Sequence, residues 1–145
     1  MVQEERILDN KPEFRVVPSP NPVPGAERAR ILENLGFGKV FTDHMVTVSW
    51  DIDKGWHDAS VHARGPFQLD PASAVLHYAQ EIFEGMKAYR TEDGSITLFR
   101  PEENARRFQA SAKRMAMPEI PEELFLAAVE QLVRIDREWV PSSEG

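Results

Sequence analysis

The chain has 145 residues, 41% hydrophobic and 28% charged, a composition that suits one soluble globular domain long enough to build a core. A formal net charge of -7 with no basic stripe argues against nucleic acid or an anionic membrane surface as a partner, and the absence of cysteine excludes disulfides, thiolate-held zinc and thiol catalysis. The opening MVQEERILDNKPEF lacks the basic-then-apolar layout of a secretory signal and no apolar run reaches membrane-spanning length, so a cytoplasmic location is the default expectation.

Residues 1–25 contain Pro12, Pro18, Pro20, Pro22 and Pro24, which fix φ and remove backbone donors, so this stretch is predicted to be an extended, poorly paired lead-in. In GAERARILENLGFG, Ala29, Leu32 and Leu35, or Ile31 and Leu35, fall at helical spacing ahead of two glycines, which predicts a short helix ending near Gly36. The next run, KVFTDHMVTVSWD, alternates with Val46, Val48 and Trp50 on one face and predicts a strand. Lys54-Gly55 then suggests a turn, and VHARGPFQL an irregular second strand broken at Gly65-Pro66.

After Pro71, the residues Val75, Ala79, Ile82, Phe83 and Met86 recur at helical intervals, which predicts a helix from about Ala72 toward Gly85. MKAYRTEDGSITLFR contains two short alternating runs around Asp93-Gly94, the pattern of a β-hairpin. Pro101 with Glu102 and Glu103 opens a helix whose apolar stripe is Ala105, Phe108, Ala112 and Met115, stopped by Pro118. Pro121-Glu122-Glu123 repeats that opening before LFLAAVEQLVRIDREWV, where Phe125, Val129 and Leu132 are in phase and Glu130–Arg134 and Arg134–Glu138 are spaced as ion pairs. A prominent hairpin and non-alternating elements predict an α+β fold, a mostly antiparallel sheet with flanking helices.

Several apparent motifs carry little. Asp51-Ile-Asp53-Lys-Gly55 has its glycine one position early for a calcium loop and His62 where the bidentate glutamate belongs. His44, His57, His62 and His77 lack metal-ligand spacing, and Gly36-Phe37-Gly38 lacks the third glycine of a dinucleotide fingerprint, so no metal site is expected.

Taken together, LHY at 76–78, FEGMKAY at 83–89, LFRP at 98–101 and the helix bearing NARRFQASA resemble the small N-terminal domain of branched-chain aminotransferases, pyridoxal-phosphate enzymes of fold type IV. The likeness spans Leu35 to Pro141, including FGKVFTDHM and EWVP, and FEGMKAY with the FTDHM run favours that family over D-amino-acid aminotransferases and aminodeoxychorismate lyases. Related enzymes of that fold and a stand-alone binding or assembly domain are the competing readings. The resemblance implies the same α+β architecture: a lead-in over 1–25, a small domain over 26–141, and the start of an interdomain segment at 142–145, with the lysine-bearing C-terminal domain absent.

It also implies particular residues. Composition alone puts Arg107 on a solvated helix face, but it stands three residues after Asn104 and so matches the family's arginine that grips the cofactor phosphate, while Arg106 lies about 100° away around the helix and takes the solvated role. A planar, permanently charged guanidinium suits a dianionic phosphate. Periodicity alone would make Tyr78 and Phe83 core residues; the resemblance places them with Phe37 around a pocket for aliphatic side chains, the tyrosine serving the neighbouring subunit of a homodimer. Aromatic walls reject charged substrates through desolvation, yet separate leucine, isoleucine and valine weakly, one methylene being worth about 1–3 kcal/mol. Transamination between these amino acids and 2-oxoglutarate, in amino-acid biosynthesis, is the implied activity. None of Lys11, Lys39, Lys54, Lys87 and Lys113 sits in a context like the family's cofactor-linking lysine, so the segment itself is expected to hold no catalytic residue and to be inactive alone.

Overall fold

A computed structural model describes residues 12–141, so the expectations for residues 1–11, Lys11 among them, and for the segment 142–145 lie outside the described residues. The chain order is β1 (Arg15–Val16), α1 (Gly25–Leu32), β2 (His44–Asp51), β3 (Gly55–Ala63), α2 (Ala74–Tyr78), β4 (Ala88–Arg90), β5 (Ile96–Leu98), α3 (Pro101–Arg114) and α4 (Glu122–Ile135), then a single 3-10 turn at Arg137–Trp139. This is the expected α+β domain.

β2 and β3 form an antiparallel hairpin because its connection supplies its own hydrogen bonds. The Asp51 carboxylate accepts the backbone N–H of Lys54 at 2.7 Å and of Asp53 at 3.0 Å, and Gly55 provides the positive φ of 68°. The Lys54-Gly55 turn is therefore as expected, but the second strand begins at Gly55 itself, where the sequence places it in VHARGPFQL; residues 64–70 carry no strand. The three-stranded sheet runs β1-β3-β2, with β1 parallel to β3, so β3 is central and its Val61 is fully buried.

The described part of the proline-rich lead-in, residues 12–24, carries no helix, yet it is tied down where poor pairing is predicted. Beyond β1, the Val17 N–H donates to the Val61 carbonyl at 2.8 Å, the Ser19 N–H to His44 Nε2 at 2.8 Å, and the Val23 N–H to Asp43 Oδ1 at 2.9 Å. Asp43 and His44 also reach the far end of the chain: Trp139 Nε1 donates to Asp43 Oδ2 at 2.7 Å, and Asp136 accepts both the His44 N–H at 3.1 Å and His44 Nδ1–H at 2.7 Å. Since His44 Nε2 accepts from Ser19, the ring proton is assigned to Nδ1.

α4 packs on β2 and β3, and α3 packs on α4, with the Phe108 and Phe125 rings 5.2 Å apart. Ala105 and Ala112 of the predicted stripe are buried, whereas Met115 at its end is exposed. α3 stops before Pro118, through a Schellman arrangement in which the Met117 N–H returns to the Ala112 carbonyl at 2.8 Å. Glu130 pairs with Arg134 as spaced, but Glu138 pairs with Arg137 instead of Arg134, because α4 ends at Ile135 and the four-residue spacing no longer applies.

The largest departure from the sequence reading lies between Ala72 and Gly85. The helix there is only Ala74–Tyr78, closed by Ala79 in the left-handed region at φ 48°, and residues 79–87 carry no regular structure. From Glu81 to Ala88 exposure alternates residue by residue, the pattern of extended backbone. Contacts to α3 replace the helical hydrogen bonds: Gln80 Nε2 donates to the Met115 carbonyl at 2.9 Å, and Glu84 enters a polar cluster described below.

Candidate functional site

On α3, Asn104 and Arg107 are three residues apart and share a face, one turn from the helix start set by Pro101. Both converge on Glu84 of the extended segment. Arg107 Nε donates to Glu84 Oε2 at 2.8 Å and Arg107 Nη2 donates to Glu84 Oε1, a bidentate pair, while Asn104 Nδ2 donates to Glu84 Oε1 at 2.7 Å and to the Gly85 carbonyl at 3.1 Å. Burial is lopsided: the Glu84 side chain is 3% exposed and that of Arg107 69%. The Arg107 hydrogen bond, helped by Asn104 and opposed by desolvation, holds the Glu84 carboxyl down from 4.5 to about 2, and Glu84 in turn pushes Arg107 up.

Beside this pair lies an open groove of about 500 Å³ lined by Phe99, Arg100, Glu103, Asn104, Arg106 and Arg107. Arg106 donates to Glu103 at 2.7 Å and approaches Glu122 of α4 at 3.5 Å; Arg100 shares Glu103 at 3.3 Å. Arg106 thus serves exposed ion pairs, in keeping with the solvated role expected of it. Three arginines line the groove, each paired with a carboxylate of Glu84, Glu103 or Glu122, and the outward donors of Arg107 are of the kind that fit a phosphate.

The three aromatic residues are not core. Phe37 is 98%, Tyr78 82% and Phe83 89% exposed, so the alternative that periodicity favoured for Tyr78 and Phe83 does not hold. Phe37 stands between Gly36 and Gly38, whose φ values of 61° and 68° turn the chain so that the ring projects outward. Tyr78 is the last residue of α2. Phe83 points away from α3 because its neighbour Glu84 points in, and Phe83 ring atoms lie 3.4 Å from where a Cβ on Gly85 would sit. Among the described residues none of these rings stacks on another.

No protein-family profile matches the chain. A branched-chain-amino-acid aminotransferase of Mycolicibacterium smegmatis is 56% identical over 133 residues, 92% of this chain and 36% of that protein. A probable branched-chain-amino-acid aminotransferase of Streptomyces coelicolor is 54% identical over 134 residues, again 92% of this chain and 37% of the relative. The chain belongs to the branched-chain aminotransferase family. It spans little more than a third of the length of these curated relatives. Branched-chain-amino-acid transaminase 1 of Bacillus subtilis, at 47% identity over 112 residues, covers 77% of the chain and 32% of its own length is matched.

Within this chain, Glu84 is the residue that spacing along the sequence does not single out. Its signal is present in FEGMKAY, where one carboxylate interrupts an otherwise apolar alternation. Only the packing of that segment against α3 identifies the partner.

Proposed function

We propose that this chain forms the small domain, residues 26–141 with the lead-in 1–25, of a transaminase that moves the amino group between leucine, isoleucine or valine and 2-oxoglutarate. The observation that carries this reading is the 56% identity to an aminotransferase over 92% of the chain. Residues 142–145 would then begin the connection to a second domain that carries the cofactor-linking lysine.

Pyridoxal phosphate is the cofactor of this reading, and when bound it supplies an electron sink for the bonds of the amino acid's α-carbon. Arg107 would hold its phosphate through charge-assisted hydrogen bonds, with Glu84 and Asn104 behind the guanidinium. Phe37, Tyr78 and Phe83, exposed here, would form an apolar wall for the aliphatic side chain once a second domain and a second subunit of a homodimer cover them. Such a wall excludes water and charged side chains; the α-amino and carboxylate groups need partners from elsewhere. No lysine of the chain has the family context for covalent attachment, so the 145 residues alone are expected to be inactive. A biosynthetic role in the cytoplasm completes the reading. Among the described residues no helix is long and apolar enough to cross a membrane.

The test is a cofactor titration of the full-length enzyme. Arg107→Ala is expected to weaken cofactor binding about ten- to a hundredfold, the equivalent of roughly 1.5–3 kcal/mol for a charged hydrogen bond, and Arg106→Ala to change it little. Equal affinities for the two variants would remove Arg107 from the phosphate site, and a substrate panel without turnover of branched-chain amino acids would remove the substrate class.

A further inference from the structure

We propose that Glu84 is a positioning residue that reserves the side-on edge of the Arg107 guanidinium and so directs an incoming phosphate to its end-on edge. This rests on the reading of Arg107 as the phosphate-binding arginine and deepens it.

A guanidinium presents five N–H groups in a rigid plane, and Nε–H with one Nη2–H form its side-on edge. Glu84 occupies that edge with both oxygens, Oε2 on Nε at 2.8 Å and Oε1 on Nη2. The outer Nη2–H and both Nη1–H groups remain, on a side chain that is 69% exposed. A second anion can therefore be taken without dislodging the first.

Glu84 is built to stay. Its side chain is 3% exposed, and Asn104 holds the same Oε1 at 2.7 Å. Displacing it would leave a buried carboxylate without its counter-ion, which is far costlier than losing an exposed pair. Arg100 and Arg106 offer the contrast: they share Glu103, an exposed carboxylate that makes single contacts at 3.3 Å and 2.7 Å and is free to swing away. Arg107 is thus the groove arginine whose orientation is set by a buried partner before any ligand arrives, which lowers the ordering cost of binding.

The rival is that Glu84 is a competitor, an internal carboxylate in the phosphate's place. Affinity does not separate the two, because removing the Glu84 charge both relieves repulsion of a dianion and frees the arginine to wander. The edge used does separate them. In the cofactor-free full-length enzyme with isotope-labelled arginine, NMR follows the Arg107 Nε–H and Nη–H signals during titration with inorganic phosphate and with pyridoxal phosphate, pyridoxal serving as the phosphate-free control.

In the wild-type chain the Nη signals are expected to shift while Nε–H stays in place, and in Glu84→Gln the Nε–H signal is expected to shift as well. If phosphate moves the wild-type Nε–H signal as far as the Nη signals, Glu84 is being displaced and the positioning role is overturned, with Arg107 still the phosphate group. If neither phosphate compound moves any Arg107 signal, the phosphate reading fails and this proposal with it. The wild-type measurement decides between these outcomes even if Glu84→Gln does not fold.

Discussion

At the scale of single residues, the decisive contrast is between Arg106 and Arg107, adjacent in sequence and opposite in surroundings. One step around the helix gives Arg106 to exposed glutamates and Arg107 to a buried one. The carboxyl of Glu84 also makes stability depend on acidity. Its folded-state pKa of about 2 lies below the ordinary 4.5, so the unfolded chain takes up the proton first; the stabilisation is fully present above about pH 4.5 and is lost as pH falls toward 2. Urea unfolding of wild type and Glu84→Gln should therefore differ most near neutrality and converge across that window. Curves that stay parallel down to the acid end would show that the carboxylate is not the titrating group. Asn104 and Arg107 were legible as a motif of α3, whereas Glu84 was not, because a carboxylate in an apolar run has no visible partner until the run is packed.

At the scale of elements, the helices with strong terminal signals form where expected and the one without them does not. Pro101 and two glutamates start α3, and Glu122-Glu123 start α4 after Pro121 as its N-cap. The stretch after Pro71 offers apolar spacing compatible with both helix and strand, and tertiary contacts to α3 resolve it as a five-residue helix followed by extended chain. The end of α3 carries a local conflict as well. Ala116 occupies the left-handed position of the Schellman arrangement at φ 52°, where glycine is the usual residue. A left-handed alanine costs about 1–2 kcal/mol, partly offset by glycine's larger backbone entropy, so Ala116→Gly is expected to stabilise the chain by about 0.5–1 kcal/mol. A thermal melt of the variant checks this, and an unchanged or lower midpoint would mean that the arrangement at the end of α3 is not kept in solution.

For the whole molecule, the balance of buried and exposed apolar groups matters most. Among the described residues the buried hydrophobics are Val61, Ala105, Ala112, Ile120 and Trp139, while Phe37, Phe67, Tyr78, Phe83 and Phe99 are each more than 65% exposed. Aromatic surface on this scale is uncommon on soluble monomers, since covering it gains about 25 cal/mol per Å². The isolated chain is accordingly expected to self-associate or, on the function proposed above, to bind a second domain supplied as a separate polypeptide. Sedimentation over a concentration series measures this, with Tyr78→Ser expected to weaken the association. A strictly monomeric chain that ignores the added polypeptide would count against the apolar wall proposed for Phe37, Tyr78 and Phe83. The amino-acid sequence by itself determined the α+β class, the hairpin at Asp93-Gly94 and the helices α3 and α4, because turn chemistry, capping and periodicity act within a few residues. It also determined the family, through residues whose types and spacing match. Only the tertiary structure decided that the lead-in pairs with β3, that Asp43 and His44 join the two ends of the described chain, and that Glu84 meets Arg107. Those contacts span 20 to 96 residues, and no local pattern reports a partner that distant.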